Sequence, residues 1–153
     1  MPQLMSVTLT EQAVRDRTKT VTRRLGWWTD KNGRRLLQVG DQLTLCPKVM
    51  GRKPGEPLER IVTVEVVDIR RERIDDMHDG DVPLEGVPVI HGRFSAIYLD
   101  GPLAGWPPAF AWREWFCEEM DVTPSTMITR IEWAYPEEPQ PGGGQRDIFG
   151  GEQ

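Results

Sequence analysis

Residues 15–24 read Arg-Asp-Arg-Thr-Lys-Thr-Val-Thr-Arg-Arg, setting Arg15, Arg17, Lys19, Arg23 and Arg24 against the single carboxylate Asp16. The chain as a whole is acidic, with 24 Asp plus Glu against 19 Lys plus Arg, so the island is a local device. Cations gathered on an acidic protein point to a site for an anion, above all a phosphate or a nucleotide. Arginine suits that task because its planar fork can grip a phosphate bidentately or hold an oxyanion. Thr18, Thr20 and Thr22 alternate through the run. If it is extended, Lys19, Val21 and Arg23 share one face, and Thr18, Thr20, Thr22 and Arg24 the other. The competing reading is a solvated edge strand whose charges discourage edge-to-edge pairing.

Other side chains could extend such a site. Trp27 and Trp28 could stack on an unpaired base, although neighbours on an extended chain face opposite ways, so one of them is expected to pack on the fold. Lys48, Arg52 and Lys53, in a Gly/Pro-rich loop, could continue a basic track or form an ordinary soluble loop. Trp106, among prolines, is a further candidate for ligand contact. His78 and His91 lie in polar stretches and read as solvated histidines.

Bulk properties set limits. A chain of 153 residues makes one domain with room for an ordinary core. The apolar runs fall short of the ~20 residues that span a bilayer, and the N-terminus shows no leader pattern. Cys46 and Cys117 are far apart, outside any Cys-x-x-Cys spacing. With only two histidines, a zinc site is not expected, nor any other metal or cofactor. Buried free thiols and a cytoplasmic location fit that usage. A net charge of −5 argues against nonspecific wrapping of duplex DNA.

The elements that must position the basic run follow from pattern. Thr8-Leu9-Thr10-Glu11 fits a capping box with Thr8 as N-cap, predicting a short helix over 9–16. Residues 18–24 read as a strand, 26–35 as a turn or hairpin around Asn32-Gly33. A Val39-Gly40-Asp41 turn precedes an alternating strand over 42–46. A loop covers 47–57. Residues 61–69 are β-branched and form the clearest strand, running on through 70–73. Asp75 is the expected cap of a short helix. Residues 79–108 look irregular, and 109–120 form a helix opened by Pro107-Pro108, with Trp112, Trp115, Phe116 and Cys117 in the core. Residues 127–135 make a last strand, and 136–153 a disordered Pro/Gly-rich tail after a domain over 1–135. About five or six strands without βαβ rhythm predict an α+β domain, a small mixed β-barrel with two or three flanking helices.

The order of these features resembles the ASCH domains, whose barrel is PUA-like. The carriers are a short helix leading to Lys19-Thr20-Val21-Thr22-Arg23-Arg24, the Gly-Asp turn, the long central strand, Leu84-Glu85-Gly86, the aromatic helix and Ile128-Thr129-Arg130-Ile131-Glu132-Trp133. The likeness covers about residues 5–135 and is greatest for bacteriophage and prophage versions with K-T-x-T-R-R. It implies a cleft near the first helix and basic strand, and action on RNA or nucleotides. One bacterial branch removes the acetyl group from N4-acetylcytidine with a Lys, a Thr and a Glu, which map by motif to Lys19, Thr22 and Glu85. This chain is longer than that branch, with insertions around 26–35, 47–58 and 87–108.

Taken on their chemistry, these three can support amide hydrolysis. A threonine hydroxyl attacks only after a base takes its proton. Lys19 can be that base if burial or nearby cations lower its pKa. A carboxylate at Glu85 opposes that drop, so it suits proton transfer to the leaving amine, or orientation. The expectations are therefore RNA or modified-nucleoside binding by Arg17, Lys19, Thr20, Arg23, Arg24, Trp27, Lys48 and Lys53, or hydrolysis by Lys19, Thr22 and Glu85. A third is a barrel that docks on a partner protein.

Overall fold

The structure is a computed structural model that describes residues 2–87, 89–90, 93–94 and 107–137. The strands are β1 (Gln3–Ser6), β2 (Val21–Arg24), β3 (Gln42–Cys46), β4 (Val62–Arg73), β5 (Val89–Ile90), β6 (Arg93–Phe94) and β7 (Met127–Ala134). The helices are α1 (Glu11–Arg15) and α2 (Pro108–Met120), with 3-10 turns at Thr8–Thr10, Ile74–Asp76, Asp79–Asp81 and Pro83–Glu85. Five strands form one mixed sheet in the order β1-β3-β4-β7-β2, curled into a half-barrel, and β5 pairs with β6 as a separate ribbon. The β1/β3 pair is parallel and the other pairs are antiparallel. The α+β expectation holds. Pattern missed β1, a four-residue strand whose Leu-Met centre is too short to show a period.

The β-branched run forms the twelve-residue β4 because Val and Ile pack well on a pleated surface. A register shift between Val66 and Asp68 marks a bulge, which bends the strand and leaves Val67 exposed. β7 is buried on both sides. Ile131 and Trp133 join a core of Met5, Val7, Val14, Leu43, Leu45, Val64 and Val66. Ile128 joins a second core with Ile74, Val82, Trp112 and Phe116 beneath α2. Trp112 and Phe116 stack at 4.7 Å. Trp115 and Cys117 are only half-buried, so they edge the second core rather than fill it.

Two caps differ from expectation. Thr8 lies inside a 3-10 turn and its hydroxyl donates to the Pro47 carbonyl at 2.6 Å, so it caps nothing. α1 starts at Glu11 without a side-chain cap. Near residue 75, the Asp76 carboxylate accepts the Arg73 N–H while Asp75 pairs with the Arg73 guanidinium. The hairpin at Asn32-Gly33 forms as expected. Asp30 accepts the N–H groups of Asn32 and Arg34, and Gly33 takes φ +80°. The second half of the 79–108 stretch, and nearly all of 136–153, lie outside the described residues, as do His91 and Trp106.

Gly86 fixes the approach of the 79–87 segment to the helix. It takes φ +93°, and a Cβ there would meet the Ala13 Cβ at 3.0 Å and the Thr10 Cβ at 3.1 Å. The left-handed conformation strains any side chain there, and the crowding makes Ala13 and Thr10 give way to it. Gly86→Ala is expected to lose roughly 1–3 kcal/mol of stability, read as a lower urea midpoint. An unchanged midpoint would refute this packing.

Candidate functional site

β2 is an edge strand, yet it is not solvated. Lys19, Val21, Thr22 and Arg23 are each less than 5 % exposed. What covers them is the 79–87 segment. Its attachment begins with the backbone of Thr20, whose N–H donates to Leu84 O at 2.9 Å and whose carbonyl accepts the Trp133 N–H. Thr20 therefore clips the segment to the sheet through its main chain. The Lys19 carbonyl accepts from Trp133 Nε1 at 3.0 Å and from the Tyr135 hydroxyl.

Charge completes the attachment. β2 and β7 pair with Arg23 directly opposite Arg130, both nearly buried. Like charges in that position repel. Asp81 resolves the conflict by accepting from Arg23 Nη2 and from Arg130 Nε at 3.1 Å. Arg23 also donates Nε to Glu72 at 3.0 Å and Nη1 to Glu85 Oε2 at 2.7 Å. Arg130 reaches Glu132 at 3.1 Å. Burial pushes the Asp81 carboxyl up, but the hydrogen bonds from the two guanidiniums outweigh it and hold it below the usual range.

Lys19, Thr22 and Glu85 converge on one cavity of about 270 Å³. Its volume sits near the lower limit (~300 Å³) of small-ligand pockets. The Lys19 ammonium donates to Val21 O at 2.9 Å and Glu85 O at 2.6 Å, and lies 3.7 Å from Glu85 Oε1. Burial pushes Lys19 down to about 8. Glu85 opposes the drop, and the charges of Arg24 and Arg23 add to it. The Thr22 hydroxyl oxygen accepts from Arg24 Nε at 3.1 Å. Arg24 Nη2 donates to Ser6 O at 2.7 Å, joining the two edge strands β1 and β2. Trp112, Trp115, Phe116, Met120 and Leu9 give the cavity an apolar wall facing this polar edge.

Several expected contacts are elsewhere. Arg17, at φ +63°, lies over the Tyr135 ring and donates to Pro136 O. Trp27 packs against the first core, and Trp28 lies 3.6 Å from the Arg35 guanidinium. The 47–57 loop closes on Glu56, which accepts the Lys53 N–H at 2.8 Å and pairs with Lys48 at 3.5 Å. None of these lines the cavity. His78 is exposed. Asp81, Glu72 and Arg130 are site residues that pattern reading missed. The available signal was the acidic stretch 75–85, complementary in charge to 15–24. Among the described residues no cluster of His, Cys, Asp and Glu could hold a metal, and no helix is long and apolar enough to cross a membrane.

No protein-family model and no curated protein matches the chain. Solved structures do resemble it. One is an ASCH domain from Lactobacillus crispatus JV V101, with a TM-score of 0.50 and 14% identity over 87% of this chain and 78% of that one. Another is a DUF984 protein from Enterococcus faecalis V583, with a TM-score of 0.55 and 12% identity over 97% of this chain and 87% of that one. The chain therefore has the fold of an ASCH domain, the small PUA-like architecture expected from its motifs.

The ion network makes a prediction. Arg23→Met would leave Glu72, Asp81 and Glu85 facing one another without their shared cation, and is expected to cost about 3–5 kcal/mol at pH 7 in urea unfolding. Because Asp81 is held low in the folded state, its contribution is present above the unfolded carboxyl value, about 4, and lost as pH falls below it. The gap between wild type and variant should therefore narrow in acid. A gap independent of pH would count against a charge network.

Proposed function

We propose that this protein takes up a single modified nucleoside, seats the base against the aromatic wall, and hydrolyses an acyl group from the exocyclic amine of an N4-acylated cytosine. The observation that carries this reading is the meeting of a lysine with a pKa of about 8, a buried threonine hydroxyl and a buried glutamate in one small cavity. The acyl-cytidine chemistry and the phage-type affinity come from the resemblance of Lys19-Thr20-Val21-Thr22-Arg23-Arg24 and Glu85-Gly86 to the ASCH motifs, and the ASCH-like fold is compatible with that resemblance.

The lining of one cavity by Lys19, Thr22 and Glu85 supports the following chemistry. Near pH 8 about half of Lys19 is neutral and can take the Thr22 proton. The Thr22 oxygen attacks the acyl carbon, and the carbonyl π electrons move onto oxygen. The tetrahedral species collapses, the carbon–nitrogen bond breaks, and the leaving amine takes a proton from the Lys19 ammonium; in this reading Glu85, whose Oε1 lies 3.7 Å from that ammonium, relays it. Water then hydrolyses the acyl-threonine ester, releasing the carboxylic acid and restoring the hydroxyl. Recognition of an extended RNA groove is the weaker reading, because Lys48 and Lys53 belong to a loop closed on Glu56.

Incubation with N4-acetylcytidine is expected to release cytidine, seen by chromatography, and Lys19→Ala to abolish release without loss of fold. kcat/KM should rise as pH climbs towards about 8 and level off above it, because the base works when deprotonated. No release at high enzyme concentration would refute the hydrolase. Binding of cytidine without turnover would leave a nucleoside-binding protein.

A further inference from the structure

The three cations at the cavity's polar edge are committed very differently. Arg23 is saturated by Glu72, Asp81 and Glu85. The Lys19 ammonium is spent on two carbonyls and faces Glu85. Arg24 forms no ion pair among the described residues and feels the Glu85 charge only at longer range. Among the described residues no carboxylate pairs with its guanidinium, which uses Nε on Thr22 Oγ1 and one Nη2 hydrogen on Ser6 O. The whole Nη1 group and a second Nη2 hydrogen have no hydrogen-bond partner among the described residues. Arg24 is half-buried, and that burial lowers its pKa from the ordinary value while the Glu85 charge opposes the drop. A cation kept in that state on a cavity wall is matched to negative charge that arrives with, or develops on, the ligand.

Position decides which. Arg24 Nε touches the hydroxyl oxygen that attacks in the proposed reaction. An acyl carbon bonded to that oxygen carries its own oxygen two bonds away, beside the same guanidinium. A nucleoside phosphate would have to sit across the base from the acylated amine, away from Thr22. Resting on the hydrolase reading above, we infer that Arg24 is the oxyanion-stabilising catalytic residue, donating through its free Nη hydrogens to the acyl oxygen as it becomes negative, rather than a phosphate grip. The step is the one written above: the π pair moves to the acyl oxygen, is held there by Arg24, and returns when the carbon–nitrogen bond breaks. The same guanidinium stabilises the second tetrahedral species during ester hydrolysis.

The test is steady-state hydrolysis of N4-acetylcytidine by wild type, Arg24→Lys and Arg24→Gln, with cytidine affinity measured by calorimetry. Expected is a fall in kcat of about 10²–10³-fold for Arg24→Gln with KM and cytidine affinity nearly unchanged, as for loss of one oxyanion donor. Arg24→Lys should retain part of kcat, since an ammonium supplies charge without the fork. Arg24 also bridges β1 and β2, so Arg24→Gln could fail to fold. Arg24→Ala rescued towards wild-type kcat by millimolar guanidinium then gives the same reading, and a folded variant that guanidinium does not rescue contradicts it. A raised KM with unchanged kcat overturns the inference and makes Arg24 a ground-state anchor for a ligand anion. Wild-type inactivity refutes the hydrolase itself, and with it this role. Active wild type with undiminished kcat in the variants refutes this role alone.

Discussion

Two guanidiniums lie side by side on neighbouring strands, Arg23 on β2 and Arg130 on β7, and both are nearly buried. Water screens neither of them. Left alone they would repel and carry a desolvation cost of several kcal/mol per ion. The sheet tolerates them because the 79–87 segment brings Asp81 to both and Glu85 to Arg23, while β4 brings Glu72. That segment is thus a strip of counter-ions held on the edge of a sheet. The constraint runs both ways, since the same carboxylate that neutralises Arg23 through Oε2 presents Oε1 to Lys19. Folding the edge correctly and placing Glu85 in the cavity are one event.

The cations divide the labour by their partners. Arg23 is structural because three carboxylates claim its donors. Lys19 has one carboxylate nearby, not quite in hydrogen-bond reach, so desolvation wins and the ammonium becomes an acid of ordinary strength near neutrality. Had Glu85 turned Oε1 fully onto Lys19, the Coulomb attraction would have favoured the charged form. Arg23 prevents that by anchoring the other carboxylate oxygen at 2.7 Å. Arg24 hydrogen-bonds only to neutral oxygens and feels the Glu85 charge at longer range.

Strands with a sustained β-branched pattern were legible, as were the aromatic helix, the Asn32-Gly33 hairpin and the K-T-x-T-R-R run. Three features were not. β1 is four residues long and is held by pairing with β3, a long-range contact that no local pattern announces. Thr8 fits a capping box by residue type, but its hydroxyl finds the Pro47 carbonyl across the fold, and tertiary contact overrides the local choice. Burial of β2 was invisible because a charged, alternating strand has the composition of a solvated edge. What makes it an interior is the charge complement carried some sixty residues later, by Asp81 and Glu85. Lys19 and Thr22 are three positions apart and fall on opposite faces of an ideal strand. They share a cavity because Lys19 precedes the first residue of β2 and its side chain folds back to Val21 O.

The small-ligand reading proposed above rests on the cavity more than on the distribution of the remaining cations. A backbone-tracking groove needs a row of lysines and arginines free to replace counter-ions along successive phosphates. Here Arg15 pairs with Glu11 and Glu59, Arg17 is laid over Tyr135, and Lys48 pairs with Glu56. Arg15 and Lys48 are thus paired at the surface, while Arg23 is paired in the interior. Lys19, Arg23 and Arg24 line the cavity beside stacked Trp112 and Phe116. A flat aromatic wall opposite a polar edge rewards a planar group that stacks on one side and hydrogen-bonds on the other, which describes a nucleobase.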